Sequence, residues 1–163
     1  MKNICLFSVF SLLILMSAHA QAQMLSGPSI TKGERKFEQS STITNDDGDI
    51  TVDSNVEYKH SFTDKISAAL EAEFKKRQDD SVEFEATELK VNYQLTGKEA
   101  FMVSGIRAFY KMDHLGDEDN IGTKIMLQKS YGGIRHRANI EFGHEVGEKS
   151  RHGVSAEAGF GSF

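Results

Sequence analysis

From Ile50 to Phe74 the chain alternates between apolar and polar residues with a two-residue period. Ile50, Val52, Val56, Tyr58 and Phe62 share one parity, while Thr51, Asp53, Asn55, Glu57, Lys59 and Ser61 take the other. A short break at Thr63-Asp64-Lys65 follows, and then Ile66, Leu70, Ala72 and Phe74 are opposed by Ser67, Glu71, Glu73 and Lys75. Successive side chains on a strand point to opposite faces, so this pattern predicts a hairpin in a sheet with one apolar and one charged face. Residues 63–77 also carry a capping Thr63 or Asp64 and a four-residue spacing of Ile66, Leu70 and Phe74, so an amphipathic helix is the local alternative.

The same alternation recurs down the chain. Val82, Phe84 and Ala86 are followed by a change of phase to Leu89, Val91, Tyr93 and Leu95, which requires a bulge near Thr87. A strand is expected from Phe101 to Met112 with a second phase change at Ser104-Gly105, where the glycine suits a bulge. Ile125 and Leu127 alternate up to Tyr131, and Ile134 to Phe160 forms a last hairpin with its apolar residues at even positions. A weaker first strand at 37–44 brings the expectation to about eight strands, each near the ~9–11 residues that cross a bilayer at a tilt. The turns at Thr63-Asp64-Lys65, Thr96-Gly97-Lys98 and Tyr131-Gly132-Gly133 read as short, and those around Asp46, Asp79, Asp117 and Lys149 as longer and mostly acidic.

Ahead of these strands, Met1-Lys2-Asn3, the apolar Ile4 to Met16 and a small-residue site at Ala18 to Ala22 predict a secretory signal over residues 1–22. Residues 23–36, with the only proline, Pro28, are expected as an exposed lead-in to a barrel domain over 37–163. The single cysteine, Cys5, falls inside the signal, so the exported chain has no disulfide and no thiolate ligand. A formal net charge of -5 argues against a nucleic-acid partner, which calls for a basic excess.

The aromatics then fall near strand ends. Tyr58, Phe62, Tyr93, Phe101 and Tyr131 lie toward the turns expected to be short, and Phe74, Phe84, Tyr110 and Phe142 toward the others, as two interfacial girdles require. The opposite face mixes Glu57, Glu71, Glu73, Glu141 and Glu157 with Lys59, Lys75, Lys90, Arg107, Arg135 and Arg137, which are the candidate barrel interior. A soluble periplasmic barrel or sandwich gives the same alternation, with the even positions packed around an apolar ligand or core.

With these features the chain resembles the bacterial outer-membrane β-barrel proteins, in particular the small ones of about eight strands. The resemblance implies an all-β, antiparallel up-and-down transmembrane barrel with outer-membrane lipid, lipopolysaccharide and the barrel assembly machinery as partners. It implies a structural or surface role, or narrow porin-like passage of small solutes. Family members close on a terminal aromatic, and here Phe163 lies out of phase with the even apolar face before it, so the N-terminal part of a larger porin-like barrel is the variant expectation.

No catalytic, cofactor or metal site is expected. Five histidines follow the signal without ligand spacing, and His152, Ser155 and Glu157 form an imaginable hydrolase triad that lacks a nucleophile motif. The acidic turns at Asp46 to Asp49 and Asp117 to Asn120 offer oxygen ligands but not the twelve-residue calcium loop.

Overall fold

A computed structural model describes residues 27–46, 49–77, 81–147 and 151–162. Residues 1–26, which hold the expected signal over 1–22 and the start of the expected lead-in, together with Asp47, Gly48, Gln78 to Asp80, Glu148 to Ser150 and Phe163, lie outside the described residues. Within them the chain is all-β: β1 (Arg35–Asp46), β2 (Asp49–Ser61), β3 (Ile66–Arg77), β4 (Glu83–Gln94), β5 (Val103–Asp113), β6 (Asp119–Tyr131), β7 (Ile134–Val146) and β8 (His152–Ser162). Each strand pairs antiparallel with the next, giving one up-and-down sheet in the order β1 to β8. The helical alternative over 63–77 is therefore excluded: Leu70 pairs with Tyr58 on one side and with Leu89 on the other, an apolar row that a helix would break.

The sheet curls so that one face encloses a cavity lined from all eight strands. Charged and polar residues take this concave face. Buried on it are Glu71, Lys90, Asn92, Gln94, Arg107, Gln128 and Asn139, whereas the buried apolar side chains are few: Ile30, Ala69, Ala86, Val103, Phe109 and Met126. The convex face carries the large hydrophobics, with Leu70, Leu89, Val91, Ile121, Ile140 and Phe142 all exposed. The usual partition, apolar inside and charged outside, is thus inverted.

Four sequence expectations need correction. The bulge in β4 falls at Glu85, two residues before Thr87, because Glu73 pairs with Ala86 while Phe74 pairs with Phe84. Phe84 consequently stays outside and Ala86, expected on the apolar face, turns inward to become fully buried. At Ser104-Gly105 there is no bulge, as β5 holds an unbroken register with both neighbours, so Arg107 and Phe109 point inward and Ala108 and Tyr110 outward. Nor do the connections sort by length. The turns expected to be short span 62–65, 95–102 and 132–133, whereas those expected to be long include the two-residue link 47–48, because strand pairing extends farther into the Asn and Asp residues than alternation suggested.

The fourth correction concerns the lead-in. Residues 27–30 are not exposed: Pro28 and Ile30 are among the most buried side chains described. The segment folds into the mouth of the sheet beside turns 62–65 and 95–102. Ile30 N donates to Gln94 Oε1 at 2.8 Å, and Gln128 Nε2 donates to Ser29 Oγ at 3.2 Å. Farther along, Gly33 N donates to Ser61 O and Ser61 N to Glu34 O, which leads the chain into β1. Gly105 is explained here, because a Cβ on it would lie 2.9 Å from Pro28 Cβ and 3.0 Å from Tyr93 O. Close approach of another segment, not a bulge, requires the glycine.

The two outermost strands differ from the rest. No ladder joins β1 to β8 among the described residues, and along both strands nearly every described residue is exposed on either face. They are the two free edges of a curled half-barrel, flanking an open seam.

Candidate functional site

The concave face is organised by register. Glu38 pairs with Glu57, Glu57 with Glu71, and Glu71 with Glu88, so four carboxylates stand on one rung across β1 to β4. Like charges directly opposite one another are destabilising, more so when partly buried. Lys90 answers them. It stands two residues from Glu88 on the same face of β4, and its ammonium lies 2.9 Å from Glu57, 2.5 Å from Glu71 and 3.5 Å from Glu88. Asn55 Nδ2 adds a donor to Glu71 at 3.2 Å.

Around this centre the remaining charges pair along the wall. Lys111 meets Glu73 at 2.7 Å, Lys124 meets Glu141 at 2.7 Å, and Lys75 sits 3.3 Å from Glu85 and 3.6 Å from Asp53. Glu71, Glu73 and Glu88 bring carboxylate oxygens within 4.8 Å of one another, a spacing that also suits a cation. The lysines already occupy these oxygens, so the group is a salt-bridge network and not an open metal centre. Below it, toward the inserted segment, Arg107 Nε donates to Asn92 Oδ1 at 2.8 Å and Asn92 Nδ2 to Ser67 Oγ at 3.3 Å, a packed polar layer.

Between that layer and the opposite rim lies a cavity of about 650 Å³. Of the eleven residues expected inside, Glu57, Glu71, Glu73, Lys90, Arg107, Glu141 and Glu157 line it directly. Lys59, Lys75, Arg135 and Arg137 share the inward parity but sit toward the two ends. Glu88, Lys124 and Asn139, which take the polar parity of their strands, also line the cavity, as do two residues that sequence reasoning missed, Lys111 and the inward Phe109, the only aromatic on the concave face among the described residues. Glu88 and Lys124 were recognisable by parity alone. Phe109 and Lys111 were hidden by the presumed phase change, and Gly122 was the available clue: Phe109 pairs with it, and a Cβ there would collide with the ring.

The nine expected girdle residues do not enter the cavity. Tyr58, Phe74, Phe84, Tyr93, Tyr110, Tyr131 and Phe142 lie on the convex side of their strands, and Phe62 and Phe101 in the turns beside one rim. The histidines join them. His60 packs edge-on against Phe62 at 4.7 Å, His114 stacks on Phe84 at 4.5 Å, His136 approaches Phe160 at 6.3 Å, and His144 stacks on His152 at 4.5 Å. Each histidine thus meets another ring near a rim, which their scattered sequence positions did not show. Lys129 places its ammonium 3.6 Å over the Phe101 ring.

The imagined triad is split by strand geometry: Ser155 and Glu157 face inward, while His152 lies across from His144 on the other face. The acidic turn after β5 is closed on itself, with Asp113 Oδ1 accepting from Leu115, Gly116 and Asp117 N–H groups at 2.8 to 2.9 Å and Asp119 Oδ1 accepting from Asp113 N at 3.0 Å. Asp119 also accepts from the Tyr110 hydroxyl. Asp113 and Asp119 are thus engaged in the geometry of the turn. The Asp46 to Asp49 turn falls partly outside the described residues.

Fold and site together define the class: an eight-stranded antiparallel up-and-down sheet, curled like a small β-barrel, with a charged interior and an apolar exterior. Comparison with protein families, with curated proteins and with solved structures returned no match.

Proposed function

We propose that this chain is an exported, integral outer-membrane β-barrel with a structural or surface role. The observation that carries the proposal is the inverted partition of side chains: lysine and glutamate inside, leucine, isoleucine, valine and aromatic rings outside. In water this arrangement forfeits the burial of its apolar face, whereas in a bilayer the same face is solvated by hydrocarbon. Strands of 11 to 13 residues support it as well, being long for a globular sheet and long enough to cross a membrane. Lipid and lipopolysaccharide are the surrounding partners, with insertion by the barrel assembly machinery. The seam must then close, because unpaired strand edges are not tolerated in hydrocarbon.

A structural role is favoured over porin-like passage by two obstructions in series. The segment with Pro28 and Ile30 fills one mouth, and the Ser67, Asn92 and Arg107 layer lies behind it. The soluble alternative, a periplasmic barrel around an apolar ligand, meets a cavity wall built largely of charged groups.

Heating decides the first question. The mature protein in detergent is expected to migrate differently on gel electrophoresis before and after boiling, and to fractionate with outer membranes. Release by osmotic shock, with no heat-dependent shift, would sink the proposal. In a planar bilayer the inserted protein is expected to be electrically silent, and steady single-channel steps would restore the passage reading.

A further inference from the structure

We infer that the cavity, a cup open along the β1 and β8 edges, takes a small hydrophilic amine, bound at Asn139 and the exposed Glu157. The inference goes beyond a structural role and does not depend on whether the barrel spans a membrane. Its first support is an unmet polar group. Asn139 is only 3% exposed and lines the cavity, yet neither its amide nitrogen nor its amide oxygen has a hydrogen-bond partner. A buried amide left unpaired costs about 1–3 kcal/mol, so an orphan amide that turns toward the cavity gains by pairing with a guest's donor and acceptor together.

The second support is a free carboxylate beside it. Glu157 is the cross-strand partner of Asn139 on the same face, and among the described residues it has no cation within ion-pair distance, in contrast to Glu57, Glu71, Glu73 and Glu141. The third is the field of the whole wall, seven carboxylates against four lysine and arginine groups, which favours a positively charged guest.

These features narrow the chemistry. An ammonium is drawn to Glu157 and donates to the Asn139 oxygen, while a hydroxyl or carbonyl oxygen of the guest accepts from the Asn139 NH2 group. A bare divalent ion fits poorly, since it requires six or more oxygens around it, and Lys90 and Lys124 already hold the neighbouring carboxylates. A volume of about 650 Å³ has room for a guest the size of an amino sugar or amino alcohol. Because the Ser67, Asn92 and Arg107 layer floors the cup, the guest enters from the rim that carries the turns around Asp117 and Arg151 or between the β1 and β8 edges.

Calorimetric titration of the full mature chain with glucosamine tests this, with glucose and N-acetylglucosamine as guests that lack the charge. Glucosamine is expected to give saturable binding that weakens with added salt, and the two neutral sugars none. Glu157→Gln is expected to weaken glucosamine at least tenfold. Asn139→Ala is expected to weaken it severalfold without lowering thermal stability, because the amide has no partner to lose. Glu34→Gln, which removes the same charge outside the cup, should leave affinity unchanged. Absence of saturable binding, equal binding of N-acetylglucosamine, or equal loss in Glu34→Gln and Glu157→Gln would each overturn the assignment.

Discussion

The wall formed by β2 to β5 and the seam between β1 and β8 are built from similar alternating strands, yet they are held by different forces. In the wall, every strand has two ladder partners and the central charges are buried and paired, with Lys90 at 7% side-chain exposure contacting three glutamates. At the seam, each strand has one ladder, and the β1 ion pair of Lys36 with Glu38 is half exposed at both ends. A charge network of this kind stabilises only where register packs it out of water. The same residue types on an edge are merely solvated.

Removing the central cation is the strongest way to break this contrast. Lys90→Met leaves Glu57, Glu71 and Glu88 facing one another with no ammonium between them, and is expected to cost about 3–5 kcal/mol in denaturant unfolding. A loss below about 1 kcal/mol would show that water, not Lys90, screens the rung. Next in size is a charge on the convex face. Val91→Arg in the wall and Val154→Arg on β8 are each expected to cost about 2–4 kcal/mol in a bilayer if they lie near its midplane, and almost nothing if that face meets water. A penalty for Val91→Arg alone would mean that β8 stays outside the lipid, and the seam remains open.

The inserted segment gives a smaller effect. Gly105→Ala drives a methyl group against Pro28 and the Tyr93 carbonyl, and an expected cost of about 1–3 kcal/mol accompanies displacement of residues 27–30, read as protease sensitivity at the N-terminus. Smallest of all is Lys36→Met, expected to change stability by less than about 0.5 kcal/mol because both partners of its ion pair are solvated. A larger loss there would place β1 in a closed barrel, with Lys36 buried against β8.

Much of this architecture was legible in the alternation. The strand at 66–77, the hairpin over 134–160 and the inward parity of Glu57, Lys90 and Glu141 follow from a two-residue period that a sheet must respect. Where the pattern was interrupted, sequence reasoning failed in an informative way. The phase change near Thr87 is a real bulge, displaced to Glu85, but the similar one near Gly105 is none. A small residue satisfies a bulge and a close contact equally well, and only the position of Pro28 separates them.

What the sequence by itself determined is the sheet: how many strands, which face of each is charged, and where aromatic rings gather. That information is local, because alternation depends only on neighbours along the chain. Only the tertiary structure decided that the charged face is concave, that Glu38, Glu57, Glu71 and Glu88 share one rung under Lys90, that residues 27–30 fill one mouth of the sheet, and that Asn139 is left without a partner. Those outcomes depend on register and curl, which are set between strands remote in sequence, and a one-residue slip in any pair would have dispersed them.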